Sequence, residues 1–552
     1  MRSLARLTSS ACQGAFCCSH GHHISSKHFT VCAAILGLLL GAAAIWGANK
    51  QALGLFHDDG IYAVVGKAIY QGDGYRIISL PTAAAQTKYP FLYSYLISWL
   101  WWLNPVFPAN IPVLKAFNAG LLVAIFFFAV GFYRRLFAGS TIASLAFAVL
   151  VCTNPILFTY TDYVVSDLLF VLLALVALFL ATPSTRKMPF FGVVAGMACL
   201  TRLAAAPLVF AGAINSYLRR GWRGLVSFSA IVFLLVAPWF VWVFSNREAS
   251  GLALLSYYSA YDFSSGRSQG VGELLVSHGT VVTSNVRHLF GSFEMLYLLP
   301  LMPWLLPFVV AFTALGMIVS FRREEIFSWA FFSFSVALLL LWPFHPSRYL
   351  APLVPLLMLF LFRGMSAAEL WVKEKVREFG FKHLLAKIVW IPAALILLLN
   401  GVWLSSYLLI RDEQTTRGLY GSRMPFGWDG FEESFAWIRQ NTAPNATLGT
   451  AFDPMYFLYT GRQAIRPALH RSSTYFYPYG KAKPDVGSVA DVKPELEKLN
   501  IDYLIIDPLD GYAEGKATIK LLDDLVRSYG ERAEKVFTSS DGKHRIYALT
   551  RQ

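Results

Sequence analysis

The chain has 552 residues, 56% of them hydrophobic and only 14% charged, with a formal net charge of +14. Soluble proteins carry about 25% charged residues, so this composition excludes a soluble globular protein and points to a bilayer. A basic balance in a soluble protein would suggest nucleic acid. Here Lys and Arg cluster between apolar runs, so membrane topology accounts for them and no nucleic-acid partner is expected.

The first apolar run, residues 30–48, is uncharged and long enough, at about 19 residues, to cross about 30 Å of hydrocarbon. The preceding tail, residues 1–29, is too long and polar for an ordinary cleaved signal peptide and reads as the cytoplasmic lead of an uncleaved anchor. Three cysteines lie in that tail (Cys12, Cys17, Cys18) and three in apolar runs (Cys32, Cys152, Cys199), with no zinc-ligand spacing. Cys17 and Cys18 beside His20, His22 and His23 read either as a metal-binding cluster or as a polar tail.

Further apolar runs follow at 90–107, 113–133, 141–160, 164–182, 190–218, 225–245, 298–320, 326–344, 349–362 and 388–410. The positive-inside rule sorts them. Arg134-Arg135, Arg186-Lys187, Arg219-Arg220 with Arg223, Arg322-Arg323 and the basic stretch 363–387 should all be cytoplasmic. That holds if residues 90–107, rich in Tyr and Trp and interrupted by Pro90 and Pro105, lie at the interface rather than crossing. Residues 190–218 must then form two short helices turning near Thr201-Arg202. The expectation is a polytopic α-helical membrane protein of about eleven transmembrane helices, residues 30–410, with an outer loop at 49–112.

From about Arg411 the chain turns polar and aromatic. Residues 432–440 read as a helix and 447–452, 502–506 and 545–549 as strands, so 411–552 is expected to be an extracytoplasmic α/β domain. This topology brings Asp58, Asp59, Lys88, Asp162, Asp167, Arg202, His345 and Arg348 to one non-cytoplasmic face. Taken singly, each has a bland reading: acids are favoured at helix N-termini, and arginines snorkel to interfaces. Together they read as a site.

The stretch His57-Asp58-Asp59-Gly60-Ile61-Tyr62, then Gly72-Asp73-Gly74-Tyr75, then Lys88-Tyr89-Pro90-Phe91-Leu92-Tyr93 carries the most information. It resembles the first outer loop of polyprenyl-phosphate-dependent GT-C glycosyltransferases, among them protein O-mannosyltransferases and especially bacterial lipid A aminoarabinose transferases. That family has an Asp-Glu pair after the first span and a Lys-Pro-Pro-Leu-Tyr-like element. Here the second acid is Asp59, and Tyr89 separates Lys88 from Pro90. The resemblance continues through Asp162 and Asp167 in the second acidic loop, Leu200-Thr201-Arg202 in a short hairpin, and His345-Pro346-Ser347-Arg348-Tyr349-Leu350-Ala351-Pro352 before a late helix.

The resemblance implies an inverting transferase in a bacterial inner membrane, its C-terminal domain periplasmic. It would move a sugar from a polyprenyl-phosphate donor to a lipid, glycan or protein acceptor. Such a transfer needs a base for the acceptor hydroxyl and positive charge on the departing phosphate. Asp58 is the expected base, with Asp167 as its catalytic partner. Lys88, Arg202, Arg348 and Tyr349 are the expected phosphate and substrate contacts, and Asp59, Asp162 and His345 helpers. Asp58 and Asp167 are also the expected ligands if a divalent ion, Mg or Mn, takes part. The outer loop 246–297, with Tyr257, Tyr258, Tyr261 and His288, reads either as a cover over substrate or as a connector. The alternative from another class is a lipid or glycan transporter or flippase without transferase activity, which calls for polar residues deep within spans.

Overall fold

The computed structural model describes residues 26–137, 141–181, 188–246, 252–259, 271–321, 325–342, 346–378, 383–420, 426–469, 486–509 and 516–550. The Cys/His tail, Arg186-Lys187, Tyr261, Arg322-Arg323 and His345 lie outside them.

In hydrocarbon every backbone N–H and C=O must find its partner within the chain, and the apolar runs accordingly form helices. In chain order these are α1 (Ser26–Gly47), α2 (Asp58–Gln71), α3 (Phe91–Leu103), α4 (Ile111–Leu136), α5 (Thr141–Cys152), α6 (Pro155–Thr159) and α7 (Asp167–Ala181). Then follow α8 (Met188–Thr201), α9 (Ala206–Ser245), α10 (Val271–Leu296), α11 (Leu306–Ser320), α12 (Ile326–Leu341), α13 (Val354–Glu378) and α14 (Ile391–Thr416).

All eleven segments expected to cross are helical, but length alone gives a lower count. Among the described residues, six helices are long and apolar enough to span, or seven if the pair Thr141–Cys152 and Pro155–Asp162, bent by 51°, is one span. The shorter apolar helices, α7, α8 and α12 among them, have 14–16 residues, which at 1.5 Å per residue falls short of about 30 Å. Helix α3, with 13 residues, is likewise too short to cross. It buries Tyr93, Ile97 and Trp101 and leaves Tyr95, Trp99 and Trp102 outward.

Helix α8 ends at Thr201, Arg202 is extended, and a short 3-10 turn leads into α9, giving the turn expected at Thr201-Arg202. Helix α9 is itself a hairpin. Gly221 sits at φ 60, ψ −151, and the two arms pack so closely that a Cβ on Gly212 would overlap the ring of Phe228.

The segment 246–297, expected as a cover over substrate or as a connector, carries regular structure. Of its residues, 26 form α10. Glu273, His278, Arg287, His288 and Glu294 interrupt its apolar pattern, so hydropathy did not disclose it.

The C-terminal region forms a small α/β unit. A two-stranded ribbon, β1 (Leu419–Tyr420) with β2 (Phe426–Gly427), precedes α15 (Asp429–Asn441). The sheet comprises β3 (Thr447–Gly449), β4 (Gln463–Ile465), β5 (Tyr503–Ile506), β6 (Ala533–Thr538) and β7 (Arg545–Leu549), in the order β4-β3-β5-β7-β6. Strands β4, β3 and β5 are parallel and β7 and β6 antiparallel to their neighbours. Helix α16 (Asp453–Thr460) connects β3 to β4, while α17 (Val489–Lys498) and α18 (Lys516–Tyr529) flank β5 in sequence. The unit is joined to the outer loop: the Ala464 N–H donates to the Ser79 carbonyl at 2.7 Å, and the Tyr459 hydroxyl accepts from the Leu53 N–H at 3.2 Å.

Candidate active site

Asp58 is the first residue of α2, where the helix dipole favours an acid. Its neighbour Asp59 turns the other way. The Asp59 carboxylate accepts from the backbone N–H groups of Gly54 (3.1 Å), Phe56 (3.2 Å) and Gly60 (2.9 Å). Asp59 therefore ties the turn that presents Asp58, and its two oxygens are spent locally.

Beyond α2 the chain runs through a short hairpin, with Ile77 N–H on Ala84 O (2.8 Å) and Gln86 N–H on Tyr75 O (3.0 Å). The Gln86 side-chain oxygen then accepts from the N–H groups of Lys88 (2.8 Å) and Tyr89 (3.2 Å). That turn aims both side chains at Asp58. The Tyr89 hydroxyl donates to Asp58 Oδ1 at 2.6 Å, and the Lys88 charge acts on the same carboxylate. Tyr89, an interruption in the sequence motif, is thus a direct partner of the expected base.

Arg348 comes from the turn preceding α13 and joins two acids. Its Nη1 donates to Asp58 Oδ2 at 2.6 Å. Its Nε and Nη2 hold Asp167, at 3.0 Å to Oδ1 and 2.7 Å to Oδ2. Asp167 begins α7 and also pairs with Arg202 Nη1 at 2.6 Å. The Arg202 guanidinium lies 5.1 Å from the ring of Tyr349, and that of Arg348 4.9 Å from the ring of Phe56. Asp58, Lys88, Asp167, Arg202, Arg348 and Tyr349 are therefore brought together.

Exposure separates the two acids. The Asp58 side chain retains 18% of its surface and Asp167 only 3%, so an acceptor can reach the first and not the second. Burial by itself would raise the Asp58 carboxyl. The charges of Arg348 and Lys88 and the Tyr89 hydrogen bond outweigh it and hold the group at about 2. Burial lowers Lys88, Asp58 partly restores it, and the nearby Arg466 and Arg348 oppose its charge, leaving it at about 8.

Two expectations need correction. Asp162 does not join this cluster. It accepts from Asn49 N–H (2.7 Å) and Lys115 Nζ (3.0 Å) and pairs with Arg411, so it clips together α1, α4 and α14 where their ends meet. A divalent ion shared by Asp58 and Asp167 does not fit either. A guanidinium lies between the two carboxylates, and all four oxygens already accept from Tyr89 or Arg348. Among the described residues no three His, Cys, Asp or Glu side chains gather as metal ligands.

Of the groups behind the site, sequence reasoning singled out Tyr257 and Tyr258 in the outer loop but missed Asp453. Lys88 Nζ donates to the Tyr257 carbonyl at 2.9 Å and lies 3.9 Å from that residue's ring, which places residues 252–259 beside the cluster. His57 Nε2 lies 3.0 Å from Asp453 Oδ1, across 396 positions of chain. No local pattern signals such a pairing.

No family profile and no curated protein matches the sequence. The fold has solved counterparts. ArnT from Cupriavidus metallidurans, bound to undecaprenyl phosphate, superposes with a TM-score of 0.53 at 13% identity, covering 95% of this chain and 98% of that one. Its apo state gives 0.54 at 12% identity, with the same coverage. The Archaeoglobus fulgidus oligosaccharyltransferase, tethered with an acceptor peptide containing the NVT sequon, gives 0.53 at 12% identity over 96% of this chain and 75% of that one. The chain therefore shares its overall fold with ArnT and with the archaeal oligosaccharyltransferase.

Proposed function

We propose that this protein is an integral-membrane glycosyltransferase that moves a sugar from a polyprenyl-phosphate donor to a lipid, glycan or protein acceptor at the extracytoplasmic face, with inversion. The observation that carries the reading is the Asp58–Arg348–Asp167 bridge with Lys88 and Arg202 at its sides. It places an accessible carboxylate beside fixed positive charge, which is what attack by a hydroxyl and departure of a phosphate require. The solved ArnT with undecaprenyl phosphate supports the donor class.

Sidedness has support from helix direction. Helix α4 runs from Lys115, beside Asp162, to Arg134 and Arg135 in its last turn, and α9 carries Arg219 and Arg220 a full arm beyond Arg202. The basic ends lie away from the site, consistent with their facing the cytoplasm.

Asp58 removes the acceptor proton, while Arg348 and Lys88 take up charge on the donor phosphate. At about 2 the free carboxylate is ionised but weakly basic. A donor phosphate competes for Arg348 and Lys88, the two charges that hold Asp58 down. Burial then raises the carboxyl towards a useful basicity, so donor binding itself prepares the base. Asp167 and Arg202 keep Arg348 in place. No step requires a metal ion.

The test is turnover by the purified protein in lipid nanodiscs with undecaprenyl-phosphate sugars and membrane acceptors. Release of undecaprenyl phosphate with glycosylation of an acceptor supports the reading. No release of undecaprenyl phosphate and no acceptor glycosylation with any donor and acceptor of the panels opposes it.

A further inference from the structure

The turn that carries Asp58 is gripped from the C-terminal region. His57 stands at φ 63, ψ −58, a conformation that L side chains rarely adopt and that persists only where the surroundings impose it. Both of its ring nitrogens are engaged. Nε2 lies 3.0 Å from Asp453 Oδ1 and Nδ1 3.3 Å from the Tyr257 hydroxyl. Asp453 is fully buried in the first turn of α16, where the Tyr258 hydroxyl also donates to Oδ1 at 2.7 Å.

The backbones meet at the same place. A Cβ on Gly60 would stand 2.9 Å from Pro454 Cβ, and one on Gly54 2.7 Å from Met455 Cβ. The turn 54–60 is therefore pressed onto the start of α16 with no room for a side chain between them. The third member of the contact is anchored from the C-terminal region too. Glu495 in α17 accepts from the N–H groups of Ala253 and Leu254, at 2.7 Å each. Three residues on, Tyr257 supplies the carbonyl and ring that hold Lys88.

We propose that Asp453 is a positioning residue for the reacting carboxylate. Through His57 it fixes the direction of Asp58, and through Tyr258 and Tyr257 it fixes the seat of Lys88. The C-terminal region is then a working wall of the site, beyond any separate role in recognition. This rests on the transferase reading for its kinetic consequence, but the mechanical lock stands on geometry alone.

The test compares full-length wild type, Asp453→Asn, His57→Gly, the double variant and Tyr257→Phe, all in nanodiscs. Glycine suits the backbone at position 57, so a loss in His57→Gly reports the missing ring and not strain. Each of Asp453→Asn and His57→Gly is expected to lower kcat about 10²-fold, the scale of a small misplacement, with a rise in donor KM, through the loosened seat of Lys88, smaller than the fall in kcat. The double variant should lose no more than either single one, because the two residues act as a unit. Tyr257→Phe should fall the same way, by less. Hydrogen exchange should quicken at residues 54–61 in Asp453→Asn by about ten-fold, with α4 unchanged.

Wild-type exchange at 54–61 in folded Asp453→Asn, or losses that multiply in the double variant, would overturn the proposal. If the wild type transfers no sugar, the functional reading fails, and the exchange comparison alone still decides for or against the lock.

Discussion

Arg348 donates from Nη1 to Oδ2 of Asp58 at 2.6 Å, although 290 positions separate the two in the chain. The same guanidinium holds Asp167 through Nε and Nη2. One side chain thus keeps two acids in register, which a planar fork of donors does and a point charge does not.

Replacing that fork is the first prediction. Arg348→Lys keeps the charge but cannot serve both carboxylates, and transfer should fall about 10²–10³-fold, as for loss of an electrostatic donor. Arg348→Ala leaves both acids without their common counter-ion and should destabilise the fold by about 3–5 kcal/mol. Transfer assays and thermal unfolding in one detergent check both. Wild-type turnover by Arg348→Lys would contradict the bridging role.

The second prediction concerns pH. Lys88 is charged below about 8 and loses its proton above it, so kcat/KM for the donor should fall as pH rises through that value. Lys88→Arg should abolish the alkaline fall, since arginine stays charged. Asp58 in the free protein titrates at about 2 and gives kcat/KM no acid limb near neutrality. Because the donor draws away its counter-charges, kcat should show an acid limb at higher pH than kcat/KM does. The two profiles checked side by side decide this; an unchanged alkaline limb in Lys88→Arg contradicts the assignment.

How much of this was legible in the sequence follows from range. Asp58, Lys88, Asp167, Arg202 and Arg348 were found because the sign of the basic loops places the turns between apolar segments on faces, and because their order follows the resembling motifs. The C-terminal helix at 432–440 and three of the strands announced themselves by period. Asp162 looked like a site acid for the same reason as Asp167, since both precede a helix. Only three-dimensional packing shows that Lys115 and Arg411 claim it. Helix α10 was hidden because its charges dilute its hydropathy, and the His57–Asp453 pair because nothing local links residues so far apart.

The third prediction separates those two acids. Asp162→Ala leaves Lys115 and Arg411 buried without their shared counter-charge and should cost about 3–5 kcal/mol of stability. Asp167→Asn preserves shape and should leave the unfolding midpoint nearer wild type while transfer is lost. Unfolding midpoints and transfer rates measured together check the contrast, and wild-type stability in Asp162→Ala would contradict it.

The fourth concerns the bundle. Gly316 of α11 and Gly364 of α13 face each other's helices so closely that a Cβ on either would overlap the carbonyl oxygen of Phe360 or Phe312. Small residues at such crossings let helix backbones touch. Gly316→Ala should force the helices apart at a cost of about 3 kcal/mol, and Gly364→Ala should do the same. Detergent-resistant yield and melting temperature are the measurements; an unchanged melting temperature contradicts the crossing.

The most direct measurement is sugar transfer by Asp58→Asn in nanodiscs beside the wild type, at equal amounts of folded protein. Asparagine fits the site but cannot take a proton. The reading of Asp58 as base predicts a loss of at least about 10²-fold, with donor still bound. A transporter or flippase has no need of that base. Transfer at near wild-type rates by Asp58→Asn would contradict the assignment.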